Sequence, residues 1–347
     1  MNSAAKSRVG IVELARHLGL SVSTVSRALN GYADVNALTR ERVVAGARAL
    51  NYLADPLGRN LRAGRTGAVG FVFSPVRDQF IDGFYAPLLS ALNETLRRHG
   101  YDLIVASAPV GPDERELLRH LVEGRRVDAL MFTRTRPDDE RVPYLLERGV
   151  PFVSLGVTEL GLIHPYVEIE LERAAEQAFA RLHGFGHRRI ALAHGPLAYL
   201  FCRRFFGAWE RSHSRHRLRP DRSLVFEGDH TEAGGYAIGE AILRLRNRPT
   251  AVICNNDATA FGLMQALAAH GTLVGREISV IGCDDITMAA FTVPPLTTFR
   301  SPLNHIAAAM VDVLLGAIAG ETDVAQLNAT FRPELVARKS DGPAPLR

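Results

Sequence analysis

Residues 20–32 read LSVSTVSRALNGY, and this stretch decides the fold of the N-terminal part of the chain. Val25, Ala28 and Leu29 recur at helical spacing, which predicts a helix with one buried stripe. The opposite face carries hydroxyl side chains and one arginine. Hydroxyls bind phosphate oxygens, and arginine can make two hydrogen bonds to guanine in the major groove. The stretch fits a DNA-reading helix, although by itself it fits an ordinary amphipathic surface helix equally well.

The segments on either side favour the DNA-reading interpretation. Residues 11–18 (IVELARHL) predict a helix that Gly19 ends, and we expect Ser21 to cap the second helix. We expect Thr39 to cap a third helix. Two helices joined by a tight turn, followed by a third helix, predict an all-α helix-turn-helix head. We assign residues 1–52 to this head.

The basic charge of the chain is concentrated near the N-terminus. The whole chain has 347 residues and a formal net charge of +4. Residues 1–66 contain ten Lys or Arg and four Asp or Glu, whereas the remaining residues contain 31 and 33. A polyanion is therefore expected to bind the N-terminal fifth. The alternative is a basic tail that only aids solubility, but these residues lie in apolar-patterned, helix-forming sequence.

Residues 53–66 connect this head to the rest of the chain. Asp55 and Pro56 can begin a short helix, and Gly58 inside it costs about 1 kcal/mol relative to alanine. The pattern leaves two alternatives: a hinge helix that forms only when a partner stabilises it, or a flexible linker.

From Ala68 onward, β-branched or aromatic runs alternate with amphipathic helices. This alternation predicts an α/β core of parallel sheets covered by helices on both faces. Its length predicts two similar lobes with a cleft between them, and ligands in such folds bind at the carboxyl ends of the strands. We assign residues 67–340 to this core and residues 341–347 to a tail, and we expect the polar C-terminal stretch KSDGPAPLR to be frayed.

Composition limits the remaining function classes. Hydrophobic residues make up 47% and charged residues 22% of the chain, which is typical of soluble globular proteins. We find no apolar run long enough to span a bilayer and no signal peptide, so we expect a cytoplasmic protein without membrane association. Cys202, Cys254 and Cys283 are too widely spaced to imply a disulfide framework or a zinc site. We expect no metal and no cofactor.

Two other functions explain the sequence less well. An enzyme could use the neighbouring Asp284 and Asp285 as acid and base, but no nucleophile, phosphate-binding loop or metal-ligand spacing accompanies them. A sugar-binding protein of the transport type would share the two-lobed core. That alternative leaves residues 1–66 unexplained.

Motifs spread over essentially the whole chain resemble the LacI/GalR family of bacterial transcriptional repressors. They are SVSTVSRALN, TRERV and LNY in the head, GRNLRAGRT in the hinge, and HGFGHRRIAL, NNDATAFG and ISVIGCDDITMAAFTVPPLTTFR in the core. The resemblance implies a periplasmic-binding-protein-like core and a homodimeric repressor. It also implies that a small carbohydrate effector changes the affinity for a palindromic operator in double-stranded DNA.

The resemblance assigns DNA-binding roles to individual residues. Bases would be read by Val22, Ser23 and Arg27. Phosphates would be bound by Ser21, Thr24, Ser26, Asn30 and Thr39. Leu61 would be the hinge leucine that inserts into the minor groove, with Arg59 and Arg62 beside it on the phosphates.

The resemblance also implies an effector site. Its residues would be Phe84, Tyr85, Thr133, Arg134, Arg204, His230, Asn256 and Asp284. Aromatic faces stack on sugar rings, while arginine, asparagine and aspartate bind hydroxyls. His230 stands where many relatives have an aromatic residue. His187, Asp257 and Asp285 are interpreted as structural, the two aspartates as helix caps.

The middle of the core is most similar to the branch of the family that regulates α-glucosides and raffinose-type sugars. Relatives in that branch tend to have Arg, Asp and Asn where Val157, Glu170 and Leu171 stand. Losing an arginine and an asparagine predicts a different effector, a more apolar one, or a weaker response. The C-terminal tail has no leucine heptads, which favours a dimer over a coiled-coil tetramer.

Overall fold

The computed structural model describes residues 9–29, 31–50, 52, 65–74, 83–320, 323 and 326–346. These residues form two compact units, and the division falls between Arg65 and Thr66. Each unit has its own apolar core. The hinge residues Arg59, Leu61 and Arg62, together with Asn30, lie outside the described residues, so their roles stay predictions.

The N-terminal unit is a three-helix head, as the sequence predicted. Its helices are α1 (Ile11–Leu18), α2 (Val22–Leu29) and α3 (Ala37–Ala49). Gly19 adopts the left-handed conformation that ends α1, with φ of 62°. Leu14, Val25 and Val43 are completely buried where the three helices meet. One apolar stripe from each helix therefore closes the core of the head.

The expected cap of the third helix is wrong. Helix α3 begins at Ala37, and the Oδ1 atom of Asn36 accepts a hydrogen bond from the Thr39 N–H at 2.7 Å. Asn36 has extended backbone angles, which place its side chain over the first turn. Thr39 is the third residue of the helix and provides the capped N–H. The sequence therefore predicted the correct hydrogen-bonded pair of positions only in part: Thr39 takes part in the cap, but as the N–H donor and not as the capping side chain.

The first lobe of the core is built on a six-stranded parallel sheet. Its strands are β1 (Ala68–Phe73), β2 (Asp102–Ser107), β3 (Ala129–Phe132), β4 (Phe152–Leu155), β5 (Tyr166–Ile169) and β11 (Asn328–Phe331). Their spatial order is β11-β5-β4-β3-β1-β2. Strands β1, β3 and β4 are buried at every position, as expected for strands covered on both faces.

Four helices cover this sheet. They are α4 (Tyr85–Arg98), α5 (Pro112–Glu123), α6 (Arg141–Glu147) and α11 (Leu303–Ala319). Helices α4 and α11 share one apolar cluster with the sheet, whereas α5 and α6 share another. The sheet is therefore covered on both faces, in agreement with the predicted fold class.

The second lobe repeats this arrangement with four strands. Its parallel sheet contains β6 (Ile190–His194), β7 (Val225–Glu227), β8 (Ala251–Cys254) and β9 (Ser279–Ile281), in the order β7-β6-β8-β9. Its covering helices are α7 (Leu171–Gly184), α8 (Leu200–Arg215), α9 (Glu232–Arg244) and α10 (Asp257–Ala269). Helices α7 and α8 share one apolar cluster and α9 and α10 the other.

The chain crosses between the lobes at three places. It passes from β5 to α7, from β10 (Thr298–Arg300) to α11, and from β11 to β12 (Glu334–Val336). Strands β10 and β12 pair antiparallel beside the second lobe. Leu171 packs against apolar clusters of both lobes. These crossings hold the carboxyl ends of the two parallel sheets on either side of one cleft.

The C-terminal segment does not fray as we expected. Ser340 is completely buried, donates to the Val280 carbonyl at 2.6 Å and accepts the Thr297 N–H at 2.8 Å. The Asp341 carboxylate binds Arg181 and the Thr297 hydroxyl. Polar residues can be buried here because every one of these groups finds a partner on the second lobe. Within the described part of the chain, no helix has the length and apolarity needed to cross a membrane.

Candidate functional site

Helix α2 exposes the polar face that the sequence predicted. Ser21, Ser23 and Arg27 are exposed, while Val25 and Ala28 are buried. The Ser21 Oγ accepts the Thr24 N–H at 3.1 Å, so Ser21 caps the helix as expected. Val22, Thr24, Ser26 and Thr39 are partly buried. This face of α2 thus presents hydroxyls and one guanidinium group, opposite the apolar core of the head.

Arg27 does not stand alone on this face. Its guanidinium group forms an ion pair with Asp34, which follows α2 in the chain. Arg40 fixes the same segment by donating from Nη2 to the Tyr32 carbonyl at 2.8 Å. The end of α2 and the following turn are therefore tied to the start of α3. The partner of Arg27 was not predicted from the sequence.

The cleft of the core lies at the carboxyl ends of the strands, where ligands of such folds bind. It brings together seven of the eight effector residues predicted from the sequence. Phe84 and Tyr85 open helix α4. The others in the cleft are Thr133, Arg134, His230, Asn256 and Asp284. Leu171, singled out as a departure from relatives, also lines the cleft, as do residues that the sequence reasoning missed: Thr135, Leu155, Gly156, Glu168, Ile169, Phe201, Asn255 and Ser301.

The first lobe contributes an aromatic wall and one cation. Tyr85 stacks on Phe73 at 5.3 Å between ring centroids, and its hydroxyl lies 2.9 Å from the Thr133 Oγ1. The Arg134 guanidinium lies over the Tyr85 ring at 5.3 Å and donates to the Ser74 carbonyl at 2.8 Å. Arg134 has a positive φ of 53°, so the turn after β3 directs this residue to the cleft.

A buried ion network supports this turn from behind. The Arg141 Nη2 donates to the carbonyl oxygens of Thr133 and Arg134 at 3.0 and 3.3 Å. Arg141 also pairs with Asp139 at 2.7 Å and with Glu114 at 3.1 Å. Burial opposes ionisation of Asp139, but its hydrogen bonds to Arg141 and Arg136 and their positive charges together outweigh that effect and lower its pKa. The network fixes the backbone that carries two cleft residues.

The second lobe contributes a neutral histidine and two asparagines. The His230 ring stacks on Phe201 at 5.6 Å, and its Nε2 lies 3.1 Å from the Asn255 Nδ2. Burial and the nearby Arg134 charge lower the pKa of His230 to about 3, so the ring is neutral at physiological pH. His230 thus packs as a neutral ring against an aromatic side chain. Among the described residues, the Asn255 Oδ1 is buried without a hydrogen-bond partner.

Asn256 has a structural role in addition to its place in the cleft. Its Oδ1 accepts the Thr259 N–H at 3.2 Å and caps α10, and its Nδ2 donates to the His230 carbonyl at 2.9 Å. Asp257 is therefore not the cap that we expected. It is structural in another way, because its buried carboxylate accepts from the Ile286 N–H and the Thr298 hydroxyl.

Asp285 and His187 also serve the structure of the second lobe. Asp285 pairs with Arg300 and Arg338, each at 2.6 Å, instead of capping a helix. His187 is buried between the Thr250 hydroxyl at 2.8 Å and the Gly342 carbonyl at 3.0 Å. The structural interpretation of both residues agrees with these contacts. Their side chains connect segments that are far apart in sequence.

Arg204 is the predicted effector residue that lies outside the cleft lining. It is on α8, and its Nη1 lies 4.0 Å from the Oε2 of Glu168, which does line the cleft. The three positions that differ from relatives are nearby. The Val157 N–H binds Glu168, Glu170 pairs with Arg332, and Leu171 lines the cleft with an apolar side chain.

A second cavity of about 350 Å³ lies on the first lobe beside α5 and α6. Charged side chains line it, among them Glu114, Arg136 and Arg141. These three are paired with one another, Glu114 with Arg136 at 2.9 Å and with Arg141 at 3.1 Å. The cleft between the lobes remains the better ligand site because it combines aromatic faces with polar groups from both lobes.

Comparison with known proteins agrees with this architecture. Residues 10–55 match the family model of bacterial regulatory proteins of the lacI family, and residues 179–340 match a periplasmic binding protein-like domain. The HTH-type transcriptional regulator AglR of Rhizobium meliloti (strain 1021) is 34% identical over 98% of this chain and 96% of its own length. The regulator RafR of Escherichia coli is 35% identical over 79% of this chain and 81% of its own length.

Two solved structures show the same fold. The lac repressor dimer bound to operator and an anti-inducer has a TM-score of 0.86 at 26% identity, covering 96% of this chain and 99% of that one. The complex of the regulator CelR with cellobiose has a TM-score of 0.74 at 28% identity, covering 96% and 100%.

A helix-turn-helix head and a two-lobed ligand-binding core in one chain define a class of proteins, the ligand-responsive transcriptional regulators. The chain belongs to the LacI family of bacterial regulatory proteins.

Proposed function

We propose that this regulator is a cytoplasmic, homodimeric repressor without catalytic activity. It binds a palindromic operator through the exposed face of α2, and a small carbohydrate in the cleft of the core changes its affinity for DNA. The observation that carries the proposal is the lining of the cleft, which combines the aromatic side chains of Phe84, Tyr85 and Phe201 with the charged groups of Arg134 and Asp284. Such a lining suits a sugar, whose rings stack and whose hydroxyls bind charged groups.

The known structures support both halves of the proposal. One relative is a dimer bound to operator, and another contains cellobiose. In a dimer, the two heads reach two half-sites of a palindrome, and the exposed Ser23 and Arg27, with the partly buried Val22, read bases in each. The phosphate and hinge roles of the remaining predicted residues complete this proposal.

The effector acts by its different affinity for two states of the core. A ligand shifts a conformational equilibrium only by as much as its affinity differs between the states. Side chains from both lobes line the cleft, Tyr85 and Arg134 from the first and Phe201 and Asp284 from the second. A bound sugar therefore favours one relative position of the lobes, and the population able to bind operator changes with it.

The proposal is tested by gel shift with the upstream region of the protein's own gene at fixed salt. We expect a shift that resists competitor DNA and that changes with one or more of maltose, sucrose, melibiose, raffinose and cellobiose. Absence of a specific shift would contradict the repressor. A specific shift that none of these sugars alters would contradict only the carbohydrate effector.

Two pairs of variants assign the effects to the two sites. Arg27→Ala should cost about 1–3 kcal/mol of specific binding and relax specificity at one base position. Arg48→Ala removes the same charge from the exposed end of α3 and should weaken all DNA binding equally. Arg204→Ala should spare operator binding but abolish the effector response. Arg211→Ala, on the same helix and exposed, should leave the response intact.

A further inference from the structure

Glu168 is a buried carboxylate in the cleft that the sequence analysis did not single out. It lies on β5, and its side chain is only 12% exposed. The Val157 N–H donates to its Oε2 at 2.9 Å. Burial raises the pKa of Glu168 to about 7 because the backbone groups of Val157 and Ile169 and the charge of Arg204 offset only part of the desolvation.

The buried Glu114 of the same lobe provides a comparison, because its carboxylate has several hydrogen-bond donors. Its side chain is 3% exposed and receives the Ser74 hydroxyl at 3.0 Å, Arg136 at 2.9 Å and Arg141 at 3.1 Å. A carboxylate has room for about four donors. Glu168 therefore has acceptor capacity left, and a donor supplied by a ligand would stabilise it.

The nearest cation reaches Glu168 from the opposite lobe. Arg204 projects from α8, and the 4.0 Å between its Nη1 and the Glu168 Oε2 is too long for a hydrogen bond. Glu172 on α7 adds a negative charge near Glu168, and Arg134 and Asp284 are the other charged side chains in the lining of the cleft. The two lobes thus face each other here through an acceptor and a donor that do not bind directly.

We propose that Glu168 is a specificity-determining residue of the effector site, where its carboxylate accepts hydroxyl groups of an uncharged sugar and Arg204 completes the contact from the other lobe. This inference rests on the proposed carbohydrate effector and narrows it to a neutral polyhydroxylated ligand. A sugar acid or sugar phosphate placed at Glu168 would bring a second negative charge to a desolvated carboxylate and bind poorly. Arg204 would then donate hydrogen bonds to the same hydroxyl groups from the second lobe.

The test is calorimetric titration of the full chain with maltose, sucrose, melibiose, raffinose and cellobiose, and with glucose 6-phosphate and gluconate. Glu168→Gln keeps the size of the side chain but removes its charge. We expect the Kd of the bound sugar to rise about tenfold, as for the loss of a hydrogen bond to a charged group. The two anions should bind more weakly than the best neutral sugar.

The dependence on pH separates a ligand contact from a structural role. Hydroxyls donate more strongly to an ionised carboxylate, so the Kd of the wild type should fall as the pH rises from 6 to 8. Glu168→Gln should show no such fall. Asp257 also has a pKa raised by burial to about 7, but it remains in the variant and so cannot explain a lost dependence.

Glu176→Gln is the matched control, because Glu176 is 16% exposed, pairs with Arg215 at 3.0 Å and lies outside the cleft lining. It should bind the sugar as the wild type does. A cooperative melt of each variant shows that it folds. If the wild type binds no sugar, the carbohydrate effector fails and this inference with it. If the wild type binds a sugar and Glu168→Gln shows the same Kd and the same dependence of Kd on pH, the role of Glu168 is overturned but the carbohydrate effector stands. The role of Glu168 is also overturned if glucose 6-phosphate or gluconate binds more tightly than every neutral sugar.

Discussion

The guanidinium group of Arg27, the base-reading candidate on α2, pairs with the carboxylate of Asp34 on the turn that follows. Both side chains are about half exposed, at 53% and 47%. A guanidinium that binds guanine must give up this carboxylate or share itself between the two. Asp34 therefore competes with DNA for Arg27 in the free head.

Removing this competitor should strengthen DNA binding. We expect Asp34→Asn to lower the operator Kd about two- to fivefold, since an exposed ion pair contributes up to about 1 kcal/mol. Fluorescence anisotropy at fixed salt measures the change. Glu41→Gln removes the same charge from the exposed face of α3 and corrects for the general gain from one fewer negative charge. Equal Kd values for the two variants would show that the Arg27–Asp34 pair has no part in binding.

The ion network behind Arg134 should be sensitive to loss of its central member. Arg141→Met leaves the buried carboxylates of Glu114 and Asp139 without their main partner. We expect a loss of about 3–5 kcal/mol in the free energy of unfolding, measured by chemical denaturation. Arg115→Met breaks only the exposed pair with Glu140 and should cost at most about 1 kcal/mol. A similar loss in both variants would contradict this account of the network.

Glu168 should make the stability of the ligand-free protein depend on pH. Its pKa is raised from 4.5 to about 7 by burial, so between these values the folded state holds a proton that the unfolded state has lost. The contribution of Glu168 to the free energy of unfolding is fully present below pH 4.5 and is lost as the pH rises through 7. The total loss is about 3 kcal/mol. Glu168→Gln lacks this loss, so its melting temperature should exceed that of the wild type by more at pH 8 than at pH 5. A difference that stays constant with pH would contradict the raised pKa.

Helices α9 and α10 should not tolerate a larger residue at Gly262. A Cβ atom there would lie 1.8 Å from the Glu232 carbonyl oxygen and 2.6 Å from the Tyr236 nitrogen, both backbone atoms that cannot move aside. We expect Gly262→Ala to destabilise the core by about 3 kcal/mol in thermal melts. Gly184 ends α7 with open space around its Cβ position, so Gly184→Ala should be neutral or stabilise by about 0.5 kcal/mol. Equal melting temperatures for the two variants would mean that α9 and α10 can move apart at a low cost in free energy.

Local patterns in the sequence determined the order and type of the elements and the class of the protein. Apolar spacing fixed α1 and α2, the Ser21 hydroxyl capped α2, and alternating strands and helices predicted two parallel sheets with a ligand cleft at their carboxyl ends. These features depend on interactions within a few residues or on the periodicity of one buried face. The sequence could therefore specify them without knowledge of distant contacts.

Only the tertiary structure decided which polar groups meet. Glu168 lines the cleft because β5 places it opposite α8 of the other lobe. Arg204 was predicted to line the cleft, but in the structure it lies outside the lining, with its Nη1 4.0 Å from the Glu168 carboxylate. The same reason explains why Ser340 and Asp341 are buried instead of frayed: their partners Val280, Thr297 and Arg181 are at least 43 residues away. Hydrogen bonds and ion pairs across such separations leave no periodic trace in the sequence, since any polar residue can make them once the fold brings a partner near.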